Sequence, residues 1–159
     1  MNHSFDTSNT LKSHFKSEDY FPAIVQFSSE ELNNRFVEFS YQDTDMFELV
    51  ADSETGIIKQ FTLTLCNHFE EIDKSMEIPD ATEGTIFLND KESIQCDKFI
   101  LFIYKDGLRI NLSDNVAHHH LRCGQLVFAL DESDSLVSLY VSDLSTADIT
   151  HVSQEVHLV

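Results

Sequence analysis

The sequence holds no tryptophan, 2 prolines, 4 glycines, 3 cysteines and 10 basic residues among 159. Each scarcity removes a class of protein. Four scattered glycines build no phosphate-cradling loop, and no serine sits in a nucleophile elbow. Cys66, Cys96 and Cys123 are odd in number and widely spaced, so they make no disulfide framework and read as reduced, buried small hydrophobes. Ten bases against 28 acids leave a formal charge of −18, which repels nucleic acid and anionic membrane surfaces alike. The excess is spread along the chain: residues 1–80 carry 16 acids and 5 bases, residues 81–159 carry 12 and 5. No apolar run is long enough to span a bilayer, and MNHSFDTSNTLKSHFK lacks the apolar core of a signal peptide, so a cytoplasmic protein is expected.

What is present is apolar matter in quantity. Hydrophobic residues make up 42% of the chain and Phe occurs 13 times, too much for a disordered polymer and enough for one folded domain over residues 1–159. The pattern of Phe47 to Leu65, FELVADSETGIIKQFTLTL, returns 79 positions later as Leu126 to Leu144, LVFALDESDSLVSLYVSDL. In both, an apolar run ends at an aspartate (Asp52, Asp131), passes a polar turn, and resumes with two aliphatics and an aromatic, Phe61 or Tyr140. Each reads as a β-hairpin.

Residues 1–19 are polar and read as a mobile segment or a short helix bearing Leu11 and Phe15 on one face. Tyr20–Phe27 reads as a strand. Ser28 with Glu31 forms a capping-box pattern, and Phe27 with Leu32 a hydrophobic staple, so a short helix is expected there. Phe36–Tyr41 alternates at period two and reads as a strand, with a turn at Asp43-Thr44-Asp45. The acidic stretch from Glu70 to Glu92 reads as loop with one strand, Thr85–Leu88. Phe99–Tyr104 and Leu108–Leu112 flank Lys105-Asp106-Gly107, where Asp-Gly is expected to supply a positive φ. Ile100–Ile103, apolar throughout, reads as a central strand covered on both faces. Leu144-Ser145 with Asp148-Ile149 repeats the staple and capping box and predicts a C-terminal helix carrying Ile149, Val152 and Val156 on one face.

Chemistry-bearing residues are few. In an extended segment His118 and His120 of the His118-His119-His120 run point to one side, as zinc ligands do, and Cys123, Cys66 and His68 are candidates to complete a set. The spacing is not that of a zinc ribbon or finger. The expectation is no bound metal or other cofactor, with the histidines facing an acidic surface that raises their pKa values. Carboxylates are so abundant that no pair stands out for acid–base catalysis, and the chain is not expected to be an enzyme.

A mainly β, acidic chain carrying Asp52-Ser53-Glu54-Thr55-Gly56-Ile57-Ile58-Lys59 and Val141-Ser142-Asp143-Leu144-Ser145 resembles the immunity proteins of bacterial polymorphic toxin systems, including those of contact-dependent growth inhibition. The resemblance implies binding to one cognate toxin, often a basic nuclease, and masking of its active site. Acidic turns would make that contact: Asp131, Glu132 and Asp134 first, Glu70, Glu71 and Asp73 second. Two other readings stand beside it, a small-ligand-binding β domain lined by Phe and a metal-dependent enzyme built on His118–His120. The strand pattern gives the fold class: antiparallel hairpins in a sandwich or open barrel, with one or two short capped helices.

Overall fold

The computed structural model describes residues 2–4, 13–27, 33–88 and 93–158, the first three by backbone alone. The strands are β1 (Asn2–Ser4), β2 (Ser13–Glu18), β3 (Phe21–Phe27), β4 (Asn34–Tyr41), β5 (Asp45–Asp52), β6 (Ile58–Leu65), β7 (Phe69–Glu71) and β8 (Thr82–Glu83). They continue with β9 (Thr85–Phe87), β10 (Ser93–Gln95), β11 (Ile100–Ile103), β12 (Leu108–Asn111), β13 (His119–Cys123), β14 (Leu126–Leu130) and β15 (Leu136–Val141), before one helix, α1 (Thr146–His157). A six-stranded sheet runs β10-β4-β5-β6-β3-β2 and a seven-stranded sheet β7-β11-β12-β15-β14-β13-β8, while β1 and β9 form a separate ribbon. The mainly β expectation holds, with one refinement: the short edge strands β10, β7 and β8 pair parallel to their neighbours.

Within this arrangement the chain builds the same strand order twice. A hairpin (β2-β3 or β11-β12) is followed by a meander (β4-β5-β6 or β13-β14-β15) whose last strand pairs with the hairpin's second strand. Even the irregularity is shared, since a register shift falls at Val50/Ala51 in one copy and at Ala129/Leu130 in the other. The second hairpin closes one residue sooner: Ala51 pairs with Ile58, but Leu130 with Leu136. Phe61 therefore corresponds to Leu139 and not to Tyr140, because side chains alternate and a one-residue slip reverses the face. Phe61 and Leu139 lie in the main core, whereas Tyr140 points to the other side of its sheet.

That core fills the space between the two sheets. One inward row reads Val37, Leu49, Phe61, Val25, Phe15 across the first sheet and its counterpart Leu121, Phe128, Leu139, Ile110, Leu101 across the second. All ten are apolar and join one cluster, which is what two sheets packed face to face require. Phe47 stacks on Phe39 at 4.8 Å and reaches Phe99 at 6.1 Å, so the phenylalanines pack on one another. A second cluster lies outside the seven-stranded sheet, where Met76, Ile78 and Ala81 cover Val127, Ala129 and Tyr140. The stretch read as plain acidic loop is thus a lid on that face.

Several expectations are corrected. Ser13–Glu18 is a strand with Phe15 half-buried against the core, so the helical reading of the N-terminal segment fails there; Leu11 and the Ser28–Leu32 capping box lie outside the described residues. β11 is the second strand from the edge and alternates half-buried with buried; the strands buried on both faces include β14 and, after its first residue, β15. Gly107 has no positive φ. It is small because a Cβ there would sit 2.8 Å from the Val141 carbonyl oxygen, with the Met76 methyl also in its way. Gly124, at φ +58°, does need glycine's freedom, and it lets the β13–β14 turn approach β2, where Ser13 Oγ accepts from the Gln125 amide at 2.7 Å. The C-terminal helix forms as expected. Ser145 Oγ accepts from the Asp148 amide and the Asp148 carboxylate from the Ser145 amide, both at 3.1 Å, and Val152 and Val156 are buried.

Candidate functional site: two acidic turns and a buried aspartate

Asp131 ends β14 and immediately captures its own turn. Its Oδ1 accepts from the Ser133 amide at 2.9 Å and the Ser135 amide at 3.0 Å, while Asn115 Nδ2 donates to Oδ2 at 3.1 Å. These backbone hydrogen bonds, that of Ser135 above all, hold its carboxyl below the ordinary carboxylate range. Asp134 takes φ +57°, a region aspartate tolerates. Locked in this way, the turn projects Glu132 and Ser133 into solvent beside Asp114 and Val116 of the preceding loop, and together with Asn115, His118 and Asp131 they line an open groove of about 540 Å³. Val116 is 73% exposed, an apolar tip among carboxylates. Lys98 pairs with Asp114 at the same rim.

The second acidic group is placed elsewhere. Glu71 is level with Ile103, and that level continues through Leu108 and Val141 to Leu126, the far end of β14 from Asp131. Four strand spacings and five residues separate the two groups, roughly 19 Å across and roughly 17 Å along the sheet. The two groups therefore lie toward opposite corners of the seven-stranded sheet. Glu71 accepts from Ser153 Oγ and meets His157 Nε2 at 3.3 Å, the serine hydrogen bond being the main cause of its lowered pKa, and Asp73 pairs with Lys105 at 3.4 Å. The two Glu71 contacts fasten α1 to the sheet edge. Glu70, beside them on β7, is exposed.

The histidine run does not assemble a metal centre with the cysteines, since the one His/Cys/Asp/Glu group of ligand geometry among the described residues is Asp19, His151 and Glu155. His120 lies in β13 opposite Ala129, half-buried, and its pKa is lowered by burial first and by His119 second. At His120 the expected rise is reversed because burial penalises the charged imidazole. Burial pushes the Cys66 thiol up to about 12 and those of Cys96 and Cys123 up to about 11, so none is an activated nucleophile.

Asp45, which the sequence pattern places in a solvated turn, is instead the most buried carboxylate described, at 1% exposure. Its Oδ1 accepts from the amides of Asn67 at 2.7 Å and His68 at 3.0 Å, and its Oδ2 from Thr44 Oγ1 at 2.7 Å and His68 Nδ1 at 2.6 Å. Nδ1 thus carries the proton and Nε2 faces outward from a half-exposed ring that meets Tyr41 edge-on. Such a pair orients an imidazole for acid–base work, but the nearby Cys66 thiol donates to the His68 carbonyl oxygen at 3.7 Å, away from the ring. Four donors on one aspartate make a staple between the β4–β5 turn and the segment after β6. Only the turn signal Asp43-Thr44-Asp45 hinted at it.

No protein-family model matches the chain, and no curated protein matches it in sequence. No helix among the described residues is long and apolar enough to cross a membrane.

Proposed function

We propose that the protein is a non-catalytic inhibitor, an immunity protein that binds a basic toxin domain, of the nuclease type, in the cytoplasm and blocks access of substrate to it. The observation that carries the reading is the prelocked acidic rim formed by the Asp131 turn and the 113–118 loop. Its backbone is held by internal hydrogen bonds before any partner arrives, so little ordering entropy is lost on binding. The net charge of −18 supplies long-range attraction to a cationic cleft, and Val116 supplies an apolar contact within the rim. Asp131 serves by shaping the turn, while Glu132 and Asp114 present the charge.

The test is co-expression with the product of the neighbouring upstream gene, followed by stopped-flow association of the purified pair. Rescue of growth is expected, with association that slows steeply as salt rises. Glu132→Lys with Asp114→Lys should slow association by about tenfold at low salt and leave the fold intact. A non-toxic neighbour, absence of binding, or rescue unaffected by salt and by both substitutions overturns the proposal.

A further inference from the structure

We propose that Asp19, His151 and Glu155 form a binding site for a divalent transition-metal cation of the zinc class, which clips the C-terminal helix to the β2–β3 turn. His151 and Glu155 are one helical turn apart on α1, the spacing at which two side chains share a face. Asp19 reaches them from the turn between β2 and β3, and α1 packs on those two strands. The three ligand atoms all lie within 4.8 Å of one another.

Their geometry suits a tetrahedral ion. Bonds of about 2.0–2.1 Å at the tetrahedral angle put neighbouring ligand atoms about 3.3 Å apart. His151 Nε2 and Glu155 Oε1 already stand at 3.4 Å. Rotation of Asp19, an exposed side chain on a turn, brings in the third. One imidazole and two carboxylates satisfy zinc's preference for nitrogen and oxygen donors and leave a fourth position for water. Charge points the same way: the Glu155 side chain is only 12% exposed, and among the described residues the partner shown for its carboxylate is the imidazole of His151. A cation held between the two carboxylates offsets their mutual repulsion. The sequence expectation of no metal was framed around His118 and His120, which belong to a different face; the helical His-x-x-x-Glu spacing was the legible half of this site.

The experiment uses tag-free, chelator-treated full-length protein, titrated with Zn²⁺ by calorimetry and with Co²⁺ by visible absorption. One equivalent should bind, raise the thermal midpoint by several degrees, and be removed reversibly by EDTA. Asp19→Asn and His151→Ala should each weaken binding by at least about tenfold, whereas His118→Ala combined with His120→Ala should leave it unchanged. Should His151→Ala fail to fold, Asp19→Asn on the exposed turn decides alone. Absence of binding, or binding that follows His118 and His120 and ignores Asp19 and His151, overturns the site.

Discussion

Across the six-stranded sheet one outward row reads Glu38, Glu48, Thr62, Ile24, Lys16, while the corresponding row of the seven-stranded sheet reads Arg122, Val127, Tyr140, Arg109, Phe102. The inward rows of the same strands are apolar in both copies. Burial between the sheets constrains the inner face identically, whereas each outer face is set by what lies over it. Over the second sheet lies the Met76–Ala81 segment, and Val127, Ala129 and Tyr140 are correspondingly apolar. On the first, Phe36 of the adjacent outward row remains 50% exposed and the row itself is polar at Glu38, Glu48, Thr62 and Lys16, although Ile24, Val50 and Thr62 are buried. One strand order thus accommodates two surfaces by exchanging side chains on one face alone.

Placing the first sheet's residue in the second is the sharpest way to break this comparison. Val127→Glu should unfold or strongly destabilise the protein, by about 3 kcal/mol or more, because the carboxylate is forced in at 0% exposure under the Met76–Ala81 cover, and Arg122, opposite it in the ladder, is already engaged by the Gly124 carbonyl oxygen and Ser142 Oγ. Denaturant melts at pH 7 measure it; a loss under about 1 kcal/mol would mean that the Met76–Ala81 cover lifts away easily. Removing the cover itself comes next. Met76→Ala should cost about 2 kcal/mol, since Met76 is buried against Tyr140 and beside Gly107, and Val127 amide exchange should accelerate with it.

Much of the inner face was legible from alternation. Period two in Phe36–Tyr41, the hairpins around Asp52 and Asp131, and the capped helix after Ser145 all form where their side-chain chemistry put them. The outer face was not. Met76 and Ile78 stand among Glu77, Pro79 and Asp80 without periodicity, and what makes them cover is the nonlocal surface of β14 and β15. The slip that turns Tyr140 outward was hidden too, because a turn one residue shorter leaves the hydrophobic pattern almost unchanged. For the candidate site, Asp131 was legible as a turn residue, but its separation from Glu71 depends on strand order, and Asp45 draws its partners from residues 22 and 23 positions away.

The two turn aspartates offer a smaller test of equivalence. Asp52 Oδ1 accepts from the Glu54 amide at 2.9 Å and the Thr55 amide at 2.8 Å, as Asp131 does from Ser133 and Ser135, and both carboxyls are held below their usual range chiefly by such bonds. A carboxyl whose folded pKa is depressed adds stability above its unfolded value and loses it as pH falls through the folded one. Asp52→Ala and Asp131→Ala should therefore each lower the midpoint of thermal unfolding at pH 7, and the differences from the parent should shrink as the pH is taken from 5 to about 2. A deficit that persists at low pH in one variant alone would mark that turn as depending on packing instead of on its carboxylate.

The smallest effect lies on the outer face of the first sheet, at Glu48. It sits directly opposite Glu38 in the β4–β5 ladder, where like charges oppose pairing, and its pKa is raised by burial first and by Glu38 second. A raised folded pKa means that the native state holds the proton more tightly than the unfolded chain. The associated stability is complete below the unfolded value near 4.5 and lost as pH rises through the folded one, so at pH 7 the ionised carboxylate works against the fold. Glu48→Gln keeps the shape and removes the charge. It should stabilise the protein at pH 7 by no more than about 0.5 kcal/mol, water screening much of the repulsion, and should make no difference at pH 3. Added salt should narrow the gap at pH 7. A glutamine variant less stable at pH 7 than the parent would show that Glu48 is stabilised in its ionised form, and that charge supports the outer face of the first sheet where an apolar lid supports that of the second.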